Sequence, residues 1–324
     1  MTGSVPGKDD PGALPVHRVG NGELELAFLP SVGGRLISVR CRGAELLWRN
    51  PEYLDADLGT VRPRSAWAPL DGSMGSWANV GGSKTWPAPQ GWSGAHEWPG
   101  PPDGVLDAGT WAWEDEIRAD GTRVVRLTSP DDSRTGLRVV REVTLPPDGT
   151  AFRQRNIFRN VSDRDVSWSV WEVCQVDTEQ LAGVAAGSEG DLWVGVTGDT
   201  APVSLVEATG AVRVGPARGG VRQVEVDDVV AKVGFSDADG TLGLRRPDGV
   251  EMRWSFEVVA GSYPDGGCQV ELWMQYPTAG PLGGLNGLHP SSRLVELEAL
   301  SPLTDLAPGD EVSLVIDWEI VGPA

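Results

Sequence analysis

The sequence predicts an all-β protein whose strands pair antiparallel into a sandwich. Three observations favour this fold class: apolar and polar residues alternate in many short runs, turn-forming residues separate those runs, and long amphipathic helical patterns are absent. Because strands do not alternate with helices, α/β folds and their nucleotide sites are poor candidates. The chain of 324 residues is long enough for one large β domain.

The strand-like runs follow one another along the whole chain. In order, they cover residues 23–28, 35–42, 123–127, 137–145, 151–158, 166–176, 229–235, 250–258, 268–274, 294–300 and 311–320. Turn signals between them, such as Asp120-Gly121 and Pro147-Asp148-Gly149, are typical of hairpins. Only residues 178–186 look capable of a short helix.

The domain organisation is simple. Residues 1–15 are rich in Gly, Pro and Asp without periodicity, so we expect a disordered leader. No shift of composition separates a second domain within residues 16–324. We therefore expect a single sandwich domain after the leader.

A segment at about residues 62–110 breaks the strand pattern. Seven of the 14 tryptophans lie between Trp67 and Trp113, and prolines accompany them. Proline stiffens backbone outside a ladder, and each buried indole contributes ~150–250 Å² of contact. We expect a long, rigid, decorated loop, and long ordered loops are usually functional.

Composition excludes several classes of partner. The 27 Lys and Arg against 46 Asp and Glu give a net charge of −19, which disfavours a nucleic-acid binder. No apolar run is long enough for a membrane helix, and the N-terminus lacks the apolar core of a signal peptide. Three scattered cysteines fit reduced thiols. We expect a cytoplasmic protein with no nucleic-acid or membrane partner.

Cofactor and metal motifs are missing from the sequence. There is no Walker loop, dinucleotide fingerprint, nucleophile elbow or zinc spacing, and His17, His96 and His289 are far apart. We therefore expect no cofactor and no metal, although a metal held by carboxylates from several strands would leave no such motif in the sequence.

The decorated loop carries the first candidate site residues. After Gly81 and Gly82 it presents hydrogen-bonding and aromatic side chains within a short stretch: Lys84, Trp86, Gln90, His96 and Trp98. Flat indole faces beside polar groups suit a sugar, which has apolar C–H faces and a hydroxyl rim. The alternatives are that the indoles only anchor the loop and that Lys84 forms a structural salt bridge.

Strand residues supply further candidates. Glu271, Trp273 and Gln275 alternate with apolar residues and so share one face, which is either the floor of a cleft or plain solvent-exposed surface. Arg35, after a double glycine, either pairs with a buried carboxylate or reaches the cleft.

Both ends of the chain carry motifs of a known superfamily. The segments Val32-Gly33-Gly34-Arg35-Leu36-Ile37-Ser38 and Gly43-Ala44-Glu45-Leu46-Leu47-Trp48 resemble the first strands of the galactose mutarotase-like, or aldose 1-epimerase-like, superfamily, and residues 295–302 and 306–318 resemble its last strands. With the 79–90 loop, the pattern is most similar to an uncharacterised branch of that superfamily, a domain of unknown function. The resemblance implies a β-supersandwich with a sugar-sized cleft.

The resemblance also implies a catalytic pair. In the epimerases a Glu-x-x-x-Pro glutamate takes the anomeric proton, and Glu298 with Pro302 matches it. The family histidine has no match, because the corresponding strand offers Trp171, Glu172 and Gln175 instead. Since indole does not titrate, the acid would come from Lys84 or His96, and Lys84 also suits the role of the family's substrate-gripping arginine.

Three functional hypotheses follow. The leading one is a carbohydrate-active protein that binds a mono- or small oligosaccharide and acts on its anomeric centre, with stacking walls from Trp86, Trp98, Trp171 and Trp273. The second is a non-catalytic carbohydrate-binding or regulatory module, which the missing histidine favours. The third is a recruited enzyme of specialised metabolism with a larger apolar or glycosylated substrate.

Overall fold

The computed structural model describes residues 13–178 and 192–322. The expected leader lies outside the described residues except for 13–15, and the expected helix at 178–186 lies outside them except for Thr178. Within residues 13–15, Leu14 is buried and its backbone N–H donates to Thr60 Oγ1 at 2.9 Å. Residues 13–15, which the composition assigns to the leader, therefore contact the folded domain.

The described residues are dominated by β-strands. In chain order these are β1 (His17–Gly20), β2 (Leu24–Leu29), β3 (Arg35–Cys41), β4 (Ala44–Glu45), β5 (Ser83–Ala88), β6 (Ala112–Ile117), β7 (Arg123–Thr128), β8 (Leu137–Leu145), β9 (Ala151–Asn160), β10 (Val166–Asp177), β11 (Leu192–Val196), β12 (Val203–Glu207), β13 (Val221–Val224), β14 (Ala231–Phe235), β15 (Ala238–Arg245), β16 (Glu251–Phe256), β17 (Val270–Gln275), β18 (Leu294–Leu300), β19 (Thr304–Leu306) and β20 (Glu311–Val321). Helical structure in these ranges is limited to single turns, including Arg64–Ala66, Met74–Ser76, Pro264–Gly267 and Gly283–Leu285.

The strands form two antiparallel sheets. The front sheet has the order β1-β2-β3-β5-β10-β18-β17-β14-β12, with β4 beside β3 and β19 beside β10. The back sheet has the order β13-β11-β15-β16-β20-β9-β8-β7-β6. The expected all-β antiparallel sandwich is confirmed. None of the helices in the described ranges is long and apolar enough to cross a membrane.

The larger of two apolar clusters formed by the described residues lies between the sheets. Trp254 and Trp318 pair across β16 and β20 with ring centroids 4.6 Å apart, and Phe152 stacks on Trp318 at 5.0 Å. Burying each large apolar side chain contributes about 1.5–3 kcal/mol.

A polar cluster also crosses this interior. The buried Glu172 carboxylate of β10 accepts hydrogen bonds from Thr85 Oγ1 at 2.6 Å, Asn156 Nδ2 at 2.9 Å and Arg141 Nη2 at 3.0 Å, and it also pairs with Ser83. Arg141 and Asn156 belong to the back sheet, so Glu172, Ser83 and Thr85 point inward. Side chains alternate along a strand, so their neighbours Trp171, Lys84 and Trp86 lie on the outer face of the front sheet.

Each predicted run contains a strand, but several strands were not predicted, among them β6, β11, β12, β13, β15 and, most importantly for the cavity, β5. Within the segment 62–110, expected to be an irregular loop, residues Ser83–Ala88 form β5 in the middle of the front sheet. Its pairing with β3 is confined to Leu36 and Ser83, whereas its pairing with β10 continues to Ala88. Pro87 therefore sits where one side of β5 has no ladder, which is a position that tolerates proline inside a sheet.

Candidate functional site

A cavity of about 220 Å³ lies on the outer face of the front sheet. Its floor comes from five adjacent strands, β5, β10, β18, β17 and β14. These strands contribute Trp86, Trp171, Glu296, Glu298, Trp273, Gln275 and Lys232. Loop residues close the remaining sides, among them Met74, Trp77, Gln90, Trp92, Leu285, Asn286 and Leu288.

Two of these loops are tied to each other above the floor. The backbone N–H of Met74 donates to the Asn286 carbonyl oxygen at 3.0 Å, and Asn286 Nδ2 donates to the carbonyl oxygen of Gly72 at 3.0 Å. Asn286 has φ +50°, a left-handed conformation that asparagine tolerates better than most residues. The loops therefore form one joined cover over the cavity.

Indole rings make the apolar walls. Trp86 and Trp171 pack edge-to-face across neighbouring strands with ring centroids 5.5 Å apart, and Trp77 packs edge-to-face on Trp86 at 6.1 Å. Trp98 packs behind Trp86 at 5.1 Å and is fully buried. Trp273 remains partly exposed and lines the opposite side of the cavity on β17.

A lysine bridges two carboxylates on the floor. Lys232 Nζ lies 2.5 Å from Glu271 Oε2 and 2.9 Å from Glu298 Oε2. Trp171 Nε1 donates a second hydrogen bond to Glu298 Oε2 at 2.6 Å. Glu298 Oε1 is buried and accepts no hydrogen bond from any residue that the structure describes. This oxygen is therefore an unsatisfied hydrogen-bond acceptor.

The surroundings shift the pKa of all three groups. Burial raises the pKa of Glu298, although Lys232 opposes the shift. Burial raises the pKa of Glu271 well above its usual value, and the negative charge of Glu298 adds to the effect. Burial alone would lower the pKa of Lys232, but the two carboxylates outweigh it and raise that pKa.

A second ion pair lies next to the first. Lys84 Nζ, with 1% of its side chain exposed, lies 3.0 Å from Glu296 Oε1, which also accepts a hydrogen bond from Gln175 Nε2 at 2.7 Å. The ammonium also lies 5.0 Å from the ring centroid of Trp86. Burial lowers the pKa of Lys84, and the charge of Glu296 opposes that shift. Lys84 thus supports Glu296 from behind and does not line the cavity.

The structure brings most of the predicted site residues together. Trp86, Gln90, Trp171, Trp273 and Glu298 line the cavity. Lys84, Trp98, Gln175 and Glu271 lie directly behind that lining, in contact with it. Of the three residues predicted to share one face, Trp273 and Gln275 line the cavity, and Glu271 lies behind its lining against Lys232.

Two predicted residues lie elsewhere. Arg35 is fully buried, pairs with the buried Asp107 and donates to the Gly81 carbonyl oxygen at 3.3 Å, which is the structural alternative for this residue. His96 has 76% of its side chain exposed and borders a separate surface depression beside Arg164 and Trp168. Among the lining residues described, none is a histidine.

Sequence reasoning missed Lys232 and gave Glu296 no role. Lys232 is one of only three lysines in the chain and sits in the predicted strand 229–235, so a signal existed. Alternation fixes its face, but not that β14 lies beside β17. No group of three or more His, Cys, Asp or Glu within the described ranges could hold a metal ion.

Comparison with known proteins identifies the fold. No protein-family profile and no curated protein sequence matches the chain. A galactose mutarotase-like protein from Clostridium acetobutylicum is similar with a TM-score of 0.55 and 10% identity, over 94% of this chain and 95% of that one. A galactose mutarotase-like protein from Lactobacillus casei gives 0.52 and 10%, over 95% and 100%.

A longer protein shares the same architecture. A TPR-domain-containing protein from Parabacteroides distasonis has a TM-score of 0.59 and 13% identity, over 95% of this chain. The chain spans only 47% of the length of that protein. Identities this low show the fold alone. The fold is galactose mutarotase-like, as the sequence resemblance implied.

Proposed function

We propose, on the premise of a galactose mutarotase-like fold, that the protein binds a monosaccharide-like ligand in this cavity and that Glu298 is the base toward its anomeric hydroxyl. The observation that carries the proposal is a buried carboxylate oxygen, Glu298 Oε1, that has no donor and belongs to a residue lining an indole-walled cavity. Sugar hydroxyls supply donors, and indole faces accept the C–H faces of the ring.

The size of the cavity favours a small ligand. Its volume of about 220 Å³ falls below the ~300–1,000 Å³ of pockets that hold drug-sized molecules. A monosaccharide, or one sugar unit of a longer chain, suits this space better than a large apolar substrate. Gln90 and Gln275 offer amides at the wall for further hydroxyls.

The charges of the site favour an uncharged ligand. Lys232 already faces two carboxylates, and Lys84 already faces Glu296. No lining cation among the described residues is left over for a phosphate. Binding a phosphosugar would also bring its charge close to Glu296 and Glu298, which costs free energy at low dielectric.

The catalytic half of the proposal rests on Glu298. Burial raises the pKa of this carboxyl, so it holds a proton more readily than an exposed glutamate, as suits a group that takes and returns one. Lys232 and the Trp171 indole stabilise the carboxylate form. His96 lies outside the cavity and Lys84 does not line it, so the ring oxygen takes a proton from water as the C1–O5 bond breaks and Glu298 takes the proton of the anomeric hydroxyl.

A second candidate function is a sugar-binding module without catalysis. The specific observation in its favour is that no imidazole lines the described cavity, while the lining cation Lys232 has a raised pKa and gives up its proton reluctantly. Both candidates share the ligand and the cavity, and they differ only in proton transfer.

Exchange NMR on freshly dissolved α-glucose and α-galactose separates the two. We expect wild type to accelerate mutarotation in proportion to protein concentration, and Glu298→Gln to lower the protein-dependent rate at least ~100-fold, because general acid–base groups contribute ~10²–10⁴. Glu114→Gln removes an exposed carboxylate, with 68% of its side chain accessible, and serves as the control.

Each outcome assigns one function. No acceleration by wild type, together with a sugar-dependent change of tryptophan fluorescence, would leave the binding module. Absence of both effects with a full panel of hexoses and pentoses would exclude the sugar site. Equal rates for Glu298→Gln and Glu114→Gln would remove Glu298 from the mechanism.

A further inference from the structure

The Lys232 ammonium is shared between two carboxylates with different exposure to the cavity. Both are buried, but Glu298 belongs to the lining of the cavity, whereas Glu271 lies behind that lining. Lys232 itself has 13% of its side chain exposed and lies 4.6 Å from the ring centroid of Trp171. One cation thus faces two anions beside an indole, and this small cluster carries a net negative charge when all three groups are ionised.

The contacts hold Glu298 by one oxygen only. Lys232 Nζ and Trp171 Nε1 both approach Oε2, at 2.9 Å and 2.6 Å, and leave Oε1 unpartnered among the described residues. Two donors on one oxygen fix the orientation of the carboxylate plane. The unpartnered oxygen is buried, and it belongs to a residue that lines the cavity.

Few other charged or titratable groups act on this cluster. Glu296 stands on the same strand face as Glu298 and is paired with Lys84. Asp265 and the Cys268 thiol lie on the side of Glu271 and Lys232. The charge of Lys232 is therefore divided mainly between Glu271 and Glu298, and loss of either carboxylate leaves more of it for the other.

We propose that Lys232 is a positioning residue of the sugar site: it orients Glu298 through its contact with Oε2 and divides its charge between Glu298 and Glu271. This inference deepens the proposed function and rests on it. It makes Glu271, which reaches no ligand, a regulator of the base.

The directions of the pKa shifts agree with this geometry. Lys232 lowers the pKa of both glutamates against burial, while the charge of Glu298 raises the pKa of Glu271 and the charge of Glu296 raises that of Glu298. Removing the lysine should therefore raise the pKa of Glu298. Removing the Glu271 charge should lower it, because Lys232 then serves Glu298 alone and one repulsive charge is lost.

The Trp171 indole provides a readout that does not depend on activity. In protein labelled with ¹⁵N-tryptophan, its Nε1–H signal, assigned by its loss in Trp171→Phe, follows the charge of the Glu298 oxygen that it contacts. The titration is recorded from pH 4 to 9 for wild type, Lys232→Met, Lys232→Arg and Glu271→Gln. The acidic limb of the pH profile of mutarotation or sugar binding is measured on the same samples.

The two charge-removing variants should move in opposite directions. We expect the midpoint of the indole titration to rise in Lys232→Met by about one pH unit or more, the scale of an opposite charge at this distance. It should fall in Glu271→Gln and stay close to wild type in Lys232→Arg. A role in stability alone predicts no such opposition.

The outcomes remain separable if a variant does not fold. Glu271→Gln keeps the Lys232–Glu298 pair, so its downward shift tests the proposal without the lysine variants. An unchanged midpoint in Glu271→Gln, or a shift in the same direction in both variants, would overturn the inference. If the midpoints of the indole titration shift in opposite directions in Lys232→Met and Glu271→Gln but the protein binds no sugar, the proposed function is refuted. The control of Glu298 by Lys232 then still holds.

Discussion

Arg35 and Asp107 form an ion pair that is sealed from solvent behind the candidate site. Both side chains are buried, with 0% and 2% exposed, and the guanidinium also reaches the Gly81 carbonyl oxygen that precedes β5. Burial lowers the pKa of Arg35 and raises that of Asp107, so each charge depends on the other to persist. The pair stabilises the turn that leads into the strand carrying Lys84 and Trp86.

Asp107→Asn should be strongly destabilising, because it leaves a buried guanidinium without its counter-charge. Breaking a buried pair costs about 3–5 kcal/mol of the free energy of unfolding, which urea denaturation measures. Asp115→Asn is the matched control, since it breaks a partly exposed pair with Arg123 at 3.4 Å and should cost less than ~1 kcal/mol. Equal losses in the two variants would contradict the assignment.

For single residues, sequence patterns predict which face of a strand a side chain occupies better than they predict which residues lie beside it in the fold. Alternation placed Glu271, Trp273 and Gln275 on one face, and the superfamily motif selected Glu298. His96 was grouped with Lys84 because both lie in one loop segment, yet the chain carries His96 to a different depression. Lys232 was missed because its closeness to Glu298 depends on the order of strands in the sheet, which no local pattern encodes.

The double glycine before β5 controls how this strand enters the sheet. Gly81 and Gly82 have φ of +101° and +78°. A Cβ on Gly82 would lie 2.5 Å from the Leu36 carbonyl oxygen and 2.9 Å from the Ile37 Cα. Both the left-handed conformation and the close approach to β3 therefore require glycine.

Gly82→Ala should destabilise the protein by about 2–4 kcal/mol, from backbone strain together with crowding against a backbone that cannot move aside. Gly149→Ala isolates the first contribution: its φ is +84°, and a Cβ there would meet nothing within 4 Å. We expect that control to lose about 1–2 kcal/mol. If the two variants lost equal amounts of thermal and urea stability, crowding of the new Cβ against β3 would add nothing to the cost of the strained backbone.

The strand β5 also shows where element prediction fails. Proline and tryptophan at high density indicated irregular backbone, and Pro87 cannot donate to a ladder. The strand forms because β10 provides a partner on one side, while β3 withdraws after a single pair. Pairing between strands far apart in sequence overrides the local signal, whereas β8 and β18 coincide with their predicted runs.

In the whole molecule, the packed interior of the sandwich and the candidate site lie on opposite faces of the front sheet. The inner faces of the two sheets bury the core and the Glu172 cluster, and the outer face of the front sheet carries the cavity. The sequence predicted this division in general terms, because alternating strands have two faces. The joined cover formed by the 72–77 and 284–288 loops was not predictable, since those loops are far apart along the chain and contain no shared motif.

Net charge bears on the ligand at the same scale. The chain has a net charge of −19. The cavity floor carries Glu296 and Glu298, and the lysines near them, Lys84 and Lys232, already pair with these carboxylates. Both the long-range field and the local charges oppose an anionic ligand. The long-range part weakens with salt, because the Debye length shrinks from about 10 Å at 0.1 M to 3 Å at 1 M, whereas the local part persists.

The proposed ligand of the indole-walled cavity is an uncharged sugar that contacts Glu298. Crystals soaked with glucose, galactose and their 6-phosphates, at low and high salt, test this proposal. We expect density for a neutral pyranose between Trp171 and Trp273, with a hydroxyl on Glu298 Oε1, and an empty cavity with either phosphate. Density for a phosphosugar in the cavity, or for the neutral sugar only on another surface, would contradict it.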